Sequence, residues 1–204
     1  MGRQVKHVAV DLDDVTVDFV GGMDICHQKE FGVPIPMGDG GTWGPDMVVF
    51  MSKGSEEIRA AGFKGTWDWL RQREWLWATF PAIDGAIGGI STLRARGLYV
   101  EAVTSKPDWA AHNVWKWLGK WRVPFHRVTI INAKGGQRKV DFTDADLIID
   151  DKLATCIEFV EAGRNAIWFD RYDVPDAKAP NGVWIASDWR EVMQCVNHIT
   201  GRYA

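Results

Sequence analysis

Short apolar runs recur along the chain and alternate with segments in which apolar residues return at helical spacing. The apolar runs predict strands at 5–14, 98–105, 127–131, 144–151, 165–170 and 183–187. Helices are predicted in most segments between these runs, for example at 86–97 and 153–163. Strands that alternate with helices are typical of an α/β fold in which a Rossmann-like parallel sheet carries helices on both faces.

A long interruption separates the first two predicted strands. Residues 18–82 show helical patterns on either side of a loop at 33–48 that is rich in proline and glycine, and they show no strand pattern. We therefore predict a core formed by 1–17 and 83–204, with 18–82 inserted as a small helical cap. Because the cap follows the carboxyl end of the first strand, it is expected to lie over that edge of the sheet as a lid.

Charge and cysteine content narrow the classes of function. The net charge of -3 gives no electrostatic reason to expect binding to nucleic acid or to an anionic membrane. No run of 18 apolar residues predicts a membrane span, and the amino terminus lacks a signal-peptide pattern. The three cysteines are far apart and odd in number, as expected for reduced thiols in the cytoplasm.

Polar side chains collect where three of the predicted strands end. They are Asp11 and Asp13 in the first strand, Thr104 and Ser105 in the second, and Asp150 and Asp151 in the fourth. The carboxyl ends of parallel strands meet at one edge of a sheet, and ligands bind outside that edge. We therefore expect the six side chains to form a single site.

The four carboxylates of this group imply a cation, because their mutual repulsion is unfavourable without one. Hard oxygen ligands suit Mg²⁺, which also takes phosphate as a ligand. The predicted Mg²⁺ ligands are Asp11, Asp13, Asp150 and Asp151. Beside such a metal, Asp11 could attack phosphorus, and Asp13 could protonate the leaving oxygen and then deprotonate water. The Thr104 hydroxyl and the Ser105 backbone N–H would bind phosphate oxygens, and a lysine would neutralise the developing charge.

Three stretches of sequence resemble motifs of the haloacid dehalogenase (HAD) superfamily. VAVDLDDVTVDF at 8–19 is similar to the first motif, VEAVTS at 100–105 to the second, and DLIIDD at 146–151 to the fourth. Within the superfamily the chain most resembles the 5'(3')-deoxyribonucleotidases. That resemblance also rests on FPAIDGA at 80–86 and WFDRYDVP at 168–175.

The resemblance implies a HAD-like core and assigns roles to the acidic residues. Asp11 would be the nucleophile that forms an aspartyl-phosphate. Asp13 would be the acid/base, with its backbone carbonyl on the metal. Asp150 and Asp151 would be the metal-binding pair, with Asp151 as the direct ligand. One departure is Asp14, which stands where the superfamily usually has glycine.

The identity of the phosphate-neutralising cation stays open in the sequence. The resemblance favours Lys134, which precedes the fourth motif, and Lys139 is nearly as good. The superfamily also has a lysine on the helix after the second strand, where this chain has His112, with Lys116 one turn later. Lys106, directly after the second motif, is a further candidate.

The cap is expected to select the substrate. Trp43 lies in a glycine-rich loop and is the best candidate to stack on a nucleobase, followed by Trp75 and Trp77. Most other tryptophans are expected to pack the core or the cap. In the subfamily that the chain resembles, an aromatic residue matching Phe19 approaches the substrate.

These patterns predict a Mg²⁺-dependent phosphomonoester hydrolase that acts on a nucleoside monophosphate, as a 5'(3')-(deoxy)ribonucleotidase does. The alternatives are a phosphatase for another small phosphate ester or for polynucleotide ends, and a non-catalytic binding module. The expected partner is a small-molecule phosphate ester, and a homodimer is an open alternative to a monomer.

Overall fold

One parallel sheet forms the centre of the protein. The computed structural model describes residues 4–32, 68–132, 136–171 and 179–201. The strands are β1 (His7–Val10), β2 (Tyr99–Lys106), β3 (Arg127–Asn132), β4 (Leu147–Asp150), β5 (Asn165–Phe169) and β6 (Val183–Ala186). They lie in the order β3-β2-β1-β4-β5-β6, and all pairings are parallel. The predicted α/β fold with a Rossmann-like parallel sheet is confirmed.

Helices follow most of the strands. They are α1 (Phe19–Phe31), α2 (Ala86–Ala95), α3 (Ala111–Trp121), α4 (Leu153–Glu161) and α5 (Trp189–Thr200), with 3₁₀ helices at Glu74–Ala78, Asp108–Ala110 and Lys139–Asp141. Among the residues that the structure describes, no helix is long and apolar enough to cross a membrane.

The first strand is shorter than predicted. β1 ends at Val10, because the chain turns sharply after Asp11. The backbone N–H groups of Thr16 and Val17 both donate to the carbonyl of Leu12, and the Thr16 hydroxyl donates to the carbonyl of Asp11 (2.8 Å). The prediction of a strand over 5–14 was wrong at its carboxyl end. The site residues after Val10 therefore lie in a tight loop.

Alternate strand residues bury opposite faces of the sheet, as period-two geometry requires. Val8 and Val10 of β1 pack with α2 and α5, whereas Ala9 packs with α4. The face covered by α2 and α5 is closely packed. At Gly89 of α2, an added Cβ would collide with the ring of Trp189.

The described part of 18–82 is mostly helical, with α1, helical residues 68–72 and the 3₁₀ helix at Glu74–Ala78. The segments that enter and leave this insertion are hydrogen-bonded to each other. The N–H of Asp18 donates to the carbonyl of Pro81, and the N–H of Ile83 donates to that of Thr16, both at 2.9 Å. The boundaries of the cap stay a prediction, since 33–67 lie outside the described residues.

The interior of β2 carries a buried glutamate. Glu101 is fully buried, accepts a hydrogen bond from the Thr143 hydroxyl, and lies 3.1 Å from Nε2 of His7. Burial acts to raise the pKa of Glu101, but the adjacent His7 imidazole and the Thr143 hydrogen bond outweigh it and hold the pKa below its ordinary value. The glutamate is therefore a structural anion, on a strand whose far end contributes to the site.

Candidate active site

The carboxyl ends of β1 and β4 bring two buried carboxylates side by side. Val10 pairs with Ile149 in the sheet, and the N–H of Asp11 donates to the carbonyl of Ile149 (2.9 Å). Asp11 and Asp150 are consequently neighbours. β1 and β4 flank the point at which the strand order reverses, and ligands of open parallel sheets bind outside such a switch point.

A buried lysine connects these two carboxylates. Nζ of Lys139 lies 2.7 Å from Oδ2 of Asp11 and 2.7 Å from Oδ2 of Asp150. Burial acts to lower the pKa of Lys139, but the two carboxylates outweigh it and raise that pKa. Burial also acts to raise the pKa of Asp11, and Lys139 outweighs it, so that the Asp11 pKa falls below its ordinary value. Asp11 is therefore anionic, as a nucleophile must be.

Asp151 completes an acidic triad. One carboxylate oxygen from each of Asp11, Asp150 and Asp151 lies within 4.8 Å of the others. Asp11 and Asp150 are both already engaged. Oδ2 of each contacts Lys139, Oδ1 of Asp11 accepts the N–H of Leu12 (2.7 Å), and Oδ1 of Asp150 accepts the N–H of Lys152 (2.9 Å).

Oδ1 of Asp151, in contrast, is buried and has no hydrogen-bond partner among the described residues. Burial, reinforced by Asp150 and Asp11, raises the Asp151 pKa well above its ordinary value. An orphaned buried carboxylate oxygen beside two further carboxylates fits a hard divalent cation, with Asp151 as the side-chain ligand whose oxygen is unpaired and with Asp11 and Asp150 next to it.

The end of β2 contributes an unpaired hydroxyl to the same edge of the sheet. Val10 pairs with Ala102, and Thr104 follows two residues later on β2, at the edge of the sheet where Asp11 leaves β1. Thr104 is buried, and its Oγ1 has no partner among the described residues. Ser105 follows and is half-buried. A hydroxyl without a partner is available to donate to an anionic oxygen.

Asp13 lies in the loop after β1 and is paired with Lys106, the last residue of β2. The Lys106 ammonium donates to both carboxylate oxygens of Asp13. It also lies 3.6 Å from the ring centroid of Trp77 and 5.9 Å from that of Phe19. Burial raises the pKa of Asp13, although Lys106 acts in the opposite direction. Burial lowers the pKa of Lys106 despite the nearby carboxylate.

Phe19 occupies the core. It is buried, and its ring centroid lies 4.7 Å from that of Trp77 and 5.6 Å from that of Phe80. Phe19 therefore lies beside the site through its contact with Lys106, and a direct approach to a substrate stays a prediction. Trp43 lies outside the described residues. Trp75 is 59% exposed, whereas Trp77 is buried.

The departure at Asp14 has a backbone explanation. Asp14 has φ of 52°, in the left-handed region that glycine adopts most easily. Its Oδ1 accepts the N–H of Val20 (3.1 Å), and burial raises its pKa to about 7. Aspartate is among the few residues that tolerate this conformation, so the tight loop keeps its shape without glycine.

The candidate cations divide clearly in the structure. Lys139 and Lys106 lie in the site. His112 is 48% exposed with Nε2 3.5 Å from Oε1 of Glu74, and Lys116 is exposed, so the structure does not bring these two side chains to the carboxylates. Lys134, the lysine that the resemblance favoured, lies outside the described residues. Among the candidates in the described residues, Lys139 is the one whose ammonium contacts the carboxylate of Asp11, the predicted nucleophile.

Sequence reasoning missed Asn113 of α3. This residue is fully buried, and neither polar atom of its side-chain amide has a partner among the described residues. With Asp13 and Lys106 it lines a cavity of about 10 Å³, at the lower limit for one water molecule. The sequence signal that could have identified Asn113 is its position directly before Val114, in a helix that buries Val114 and Trp117.

Comparison with known proteins identifies the fold. No family model matches the chain, and no curated protein matches its sequence. Among solved structures, Bacillus subtilis YfnB, described as a HAD hydrolase bound to magnesium, gives a TM-score of 0.67 at 15% identity, covering 96% of this chain and 100% of that one. A predicted phosphoglycolate phosphatase from Haemophilus somnus gives a TM-score of 0.62 at 15% identity, covering 95% and 99%.

Protein Tyrosine Kinase A of Mycobacterium tuberculosis gives a TM-score of 0.61 at 18% identity, covering 96% of this chain and 99% of that chain. The chain therefore has the HAD-like α/β fold. At these identities the likeness establishes the fold alone, and this fold occurs in proteins described as hydrolases and in one described as a kinase.

Proposed function

We propose that the protein is a Mg²⁺-dependent phosphomonoester hydrolase of the HAD type. The observation that carries the proposal is the Lys139 ammonium, 2.7 Å from both Asp11 and Asp150, beside the unpaired Oδ1 of Asp151. This arrangement keeps Asp11 anionic and leaves an oxygen for a cation. Mg²⁺, when bound, supplies positive charge that offsets the repulsion between the carboxylates and a phosphate dianion.

The side chains have separate roles in the proposed reaction. Asp11 attacks phosphorus, a phosphorus–oxygen bond forms to its carboxylate, and the bond to the leaving oxygen breaks. Asp13 gives a proton to the leaving oxygen and later takes one from the water that hydrolyses the aspartyl-phosphate. Thr104 and Ser105 bind phosphate oxygens, and Lys139 stabilises the charge on Asp11 and the transferring group.

The substrate class is a finer part of the proposal. We propose a nucleoside monophosphate, cleaved as by a 5'(3')-(deoxy)ribonucleotidase, with residues 18–82 as the cap and with Trp43 and Phe19 on the substrate side. The resemblance of the motifs supports this choice. The three free cysteines, Cys26, Cys156 and Cys195, support a cytoplasmic location.

Phosphate release from a panel of esters tests the proposed function. The panel contains nucleoside 5'- and 3'-monophosphates, sugar phosphates and p-nitrophenyl phosphate, each with Mg²⁺ and with EDTA. We expect Mg²⁺-dependent release that Asp11→Asn lowers by about three orders of magnitude or more, as loss of a nucleophile does. The matched control is Asp144→Asn, which changes an exposed aspartate.

Different outcomes reject different parts of the proposal. Absence of release from every ester, or release that survives Asp11→Asn, would exclude the hydrolase. Release that prefers sugar phosphates would exclude only the nucleotidase and would favour a phosphatase for another small ester.

A further inference from the structure

The ion pair between Lys106 and Asp13 is unusually enclosed for a lysine. The Lys106 side chain is 2% exposed and that of Asp13 is 16% exposed. Within the described part of the chain, Lys106 is the one side chain that hydrogen-bonds the Asp13 carboxylate, and it occupies both oxygens. The position of the Asp13 carboxylate therefore depends on where the ammonium of Lys106 is held.

Aromatic rings hold that ammonium. It lies 3.6 Å from the ring centroid of Trp77 and 5.9 Å from that of Phe19. A cation over the face of tryptophan is attracted by the ring quadrupole, most strongly when water is excluded. Trp77 lies in the 3₁₀ helix Glu74–Ala78 and Phe19 begins α1, so both rings come from the insertion between β1 and β2.

Lys106 thus joins three parts of the fold: the end of β2, the loop that carries Asp13, and the insertion. Stability alone is a weak explanation for such a pair, because buried ion pairs are often replaceable by apolar side chains without loss. A lysine that served only for packing would not need to bind both oxygens of Asp13, the carboxylate that is proposed to act as acid and base.

We propose that Lys106 is a positioning residue for Asp13. Trp77 fixes the Lys106 ammonium, so that the position of the insertion sets the orientation of the Asp13 carboxylate. This inference rests on the proposed hydrolase function. In this role Lys106 acts through Asp13, the carboxylate whose two oxygens it contacts. Lys106 sets the position of the Asp13 carboxylate at the moment when Asp13 gives a proton to the leaving oxygen.

Leaving-group dependence tests this role. An alkyl phosphate needs a proton on its leaving oxygen, whereas p-nitrophenyl phosphate releases a stable phenolate and needs it far less. The measured quantity is kcat/KM, which reports the transfer of the phosphoryl group to Asp11 before water attacks. The alkyl substrate is the monoester that the wild-type protein hydrolyses fastest.

We expect Lys106→Met to lower kcat/KM for the alkyl ester by about tenfold or more, and for p-nitrophenyl phosphate by only about twofold, since general acid catalysis contributes about 10²–10⁴-fold. In an Asp13→Asn background, Lys106→Met should cause no further loss, because residues that act as a unit are not additive. Lys120→Met is the matched control. Lys120 also lies over a tryptophan ring, at 5.3 Å from the Trp121 centroid, but it hydrogen-bonds the Thr79 carbonyl instead of a carboxylate.

Each outcome decides the inference. Equal losses for both esters, or a full additional loss in the Asp13→Asn background, would overturn the positioning role and leave the hydrolase intact. An inactive wild-type protein would overturn both proposals. If Lys106→Met does not fold, Lys106→Gln takes its place, because its shorter, uncharged side chain removes the ammonium that lies over Trp77 and binds both oxygens of Asp13, and the same selective loss for the alkyl ester is expected.

Discussion

Removal of the Lys139 ammonium should destabilise the folded protein severely. Lys139, Asp11 and Asp150 are each at most 4% exposed by side chain, and both ion-pair distances are 2.7 Å. Lys139→Met keeps the aliphatic stem but leaves two buried carboxylates facing each other, with Asp151 within 4.8 Å. Breaking a buried pair by deleting one partner costs about 3–5 kcal/mol. A typical domain has only about 5–15 kcal/mol of stability.

Urea denaturation in EDTA, followed by circular dichroism, measures this loss. Lys116→Met is the matched control, because Lys116 is exposed on α3 and its substitution should change the free energy of unfolding by no more than about 0.5 kcal/mol. Asp150→Asn added to Lys139→Met should recover part of the loss, since one uncompensated carboxylate is gone.

Mg²⁺ extends the same experiment to the proposed metal site. A cation that binds only the folded protein stabilises it by about 2.7 kcal/mol at a concentration of 100 Kd. The site of Lys139→Met carries one positive charge fewer than that of the wild type and should bind Mg²⁺ more tightly, so the deficit of the variant should shrink when Mg²⁺ is added. A loss below about 1 kcal/mol in EDTA, no larger than ordinary substitutions cause, would refute the claim that Lys139 compensates the two carboxylates.

Three further predictions concern stability measured by denaturation. Glu101→Gln should lower stability at pH 7, because the pKa of Glu101 in the folded protein lies below its ordinary value. The deficit should shrink as the pH falls through that folded pKa, and a deficit that does not change with pH would contradict this. Asn113→Leu should raise stability by about 1 kcal/mol by removing an unpaired buried amide, whereas a loss would mean that a buried water satisfies the amide. Gly89→Ala should cost about 1–3 kcal/mol through its clash with Trp189, while Gly88→Ala in the same helix meets no neighbour and should be neutral or stabilising.

The strands were predictable because their apolar runs are distinct and end in polar clusters. The parallel sheet then brought Asp11, Thr104 and Asp150 to one edge without further information. The end of β1 was not predictable, because the turn after Asp11 is held by hydrogen bonds from Thr16 to the carbonyls of Asp11 and Leu12 that a period-two pattern does not encode.

The choice of cation shows where sequence reasoning stops. Lys134 and Lys139 are five residues apart, both after β3, and spacing does not decide which one reaches Asp11. The geometry depends on the 3₁₀ helix that begins at Lys139 and places this side chain between β1 and β4. The pairing of Lys106 with Asp13 depends in addition on Trp77, a residue from a distant part of the chain.

The central claim is that Asp11 accepts the phosphoryl group of the substrate. Acid quenching during steady-state turnover with Mg²⁺, followed by mass spectrometry of the peptides, measures this directly. We predict a phosphate adduct on the peptide that contains Asp11 and none in Asp11→Asn. Phosphate release by the wild-type protein without any adduct on that peptide, together with full activity of Asp11→Asn, would contradict the account.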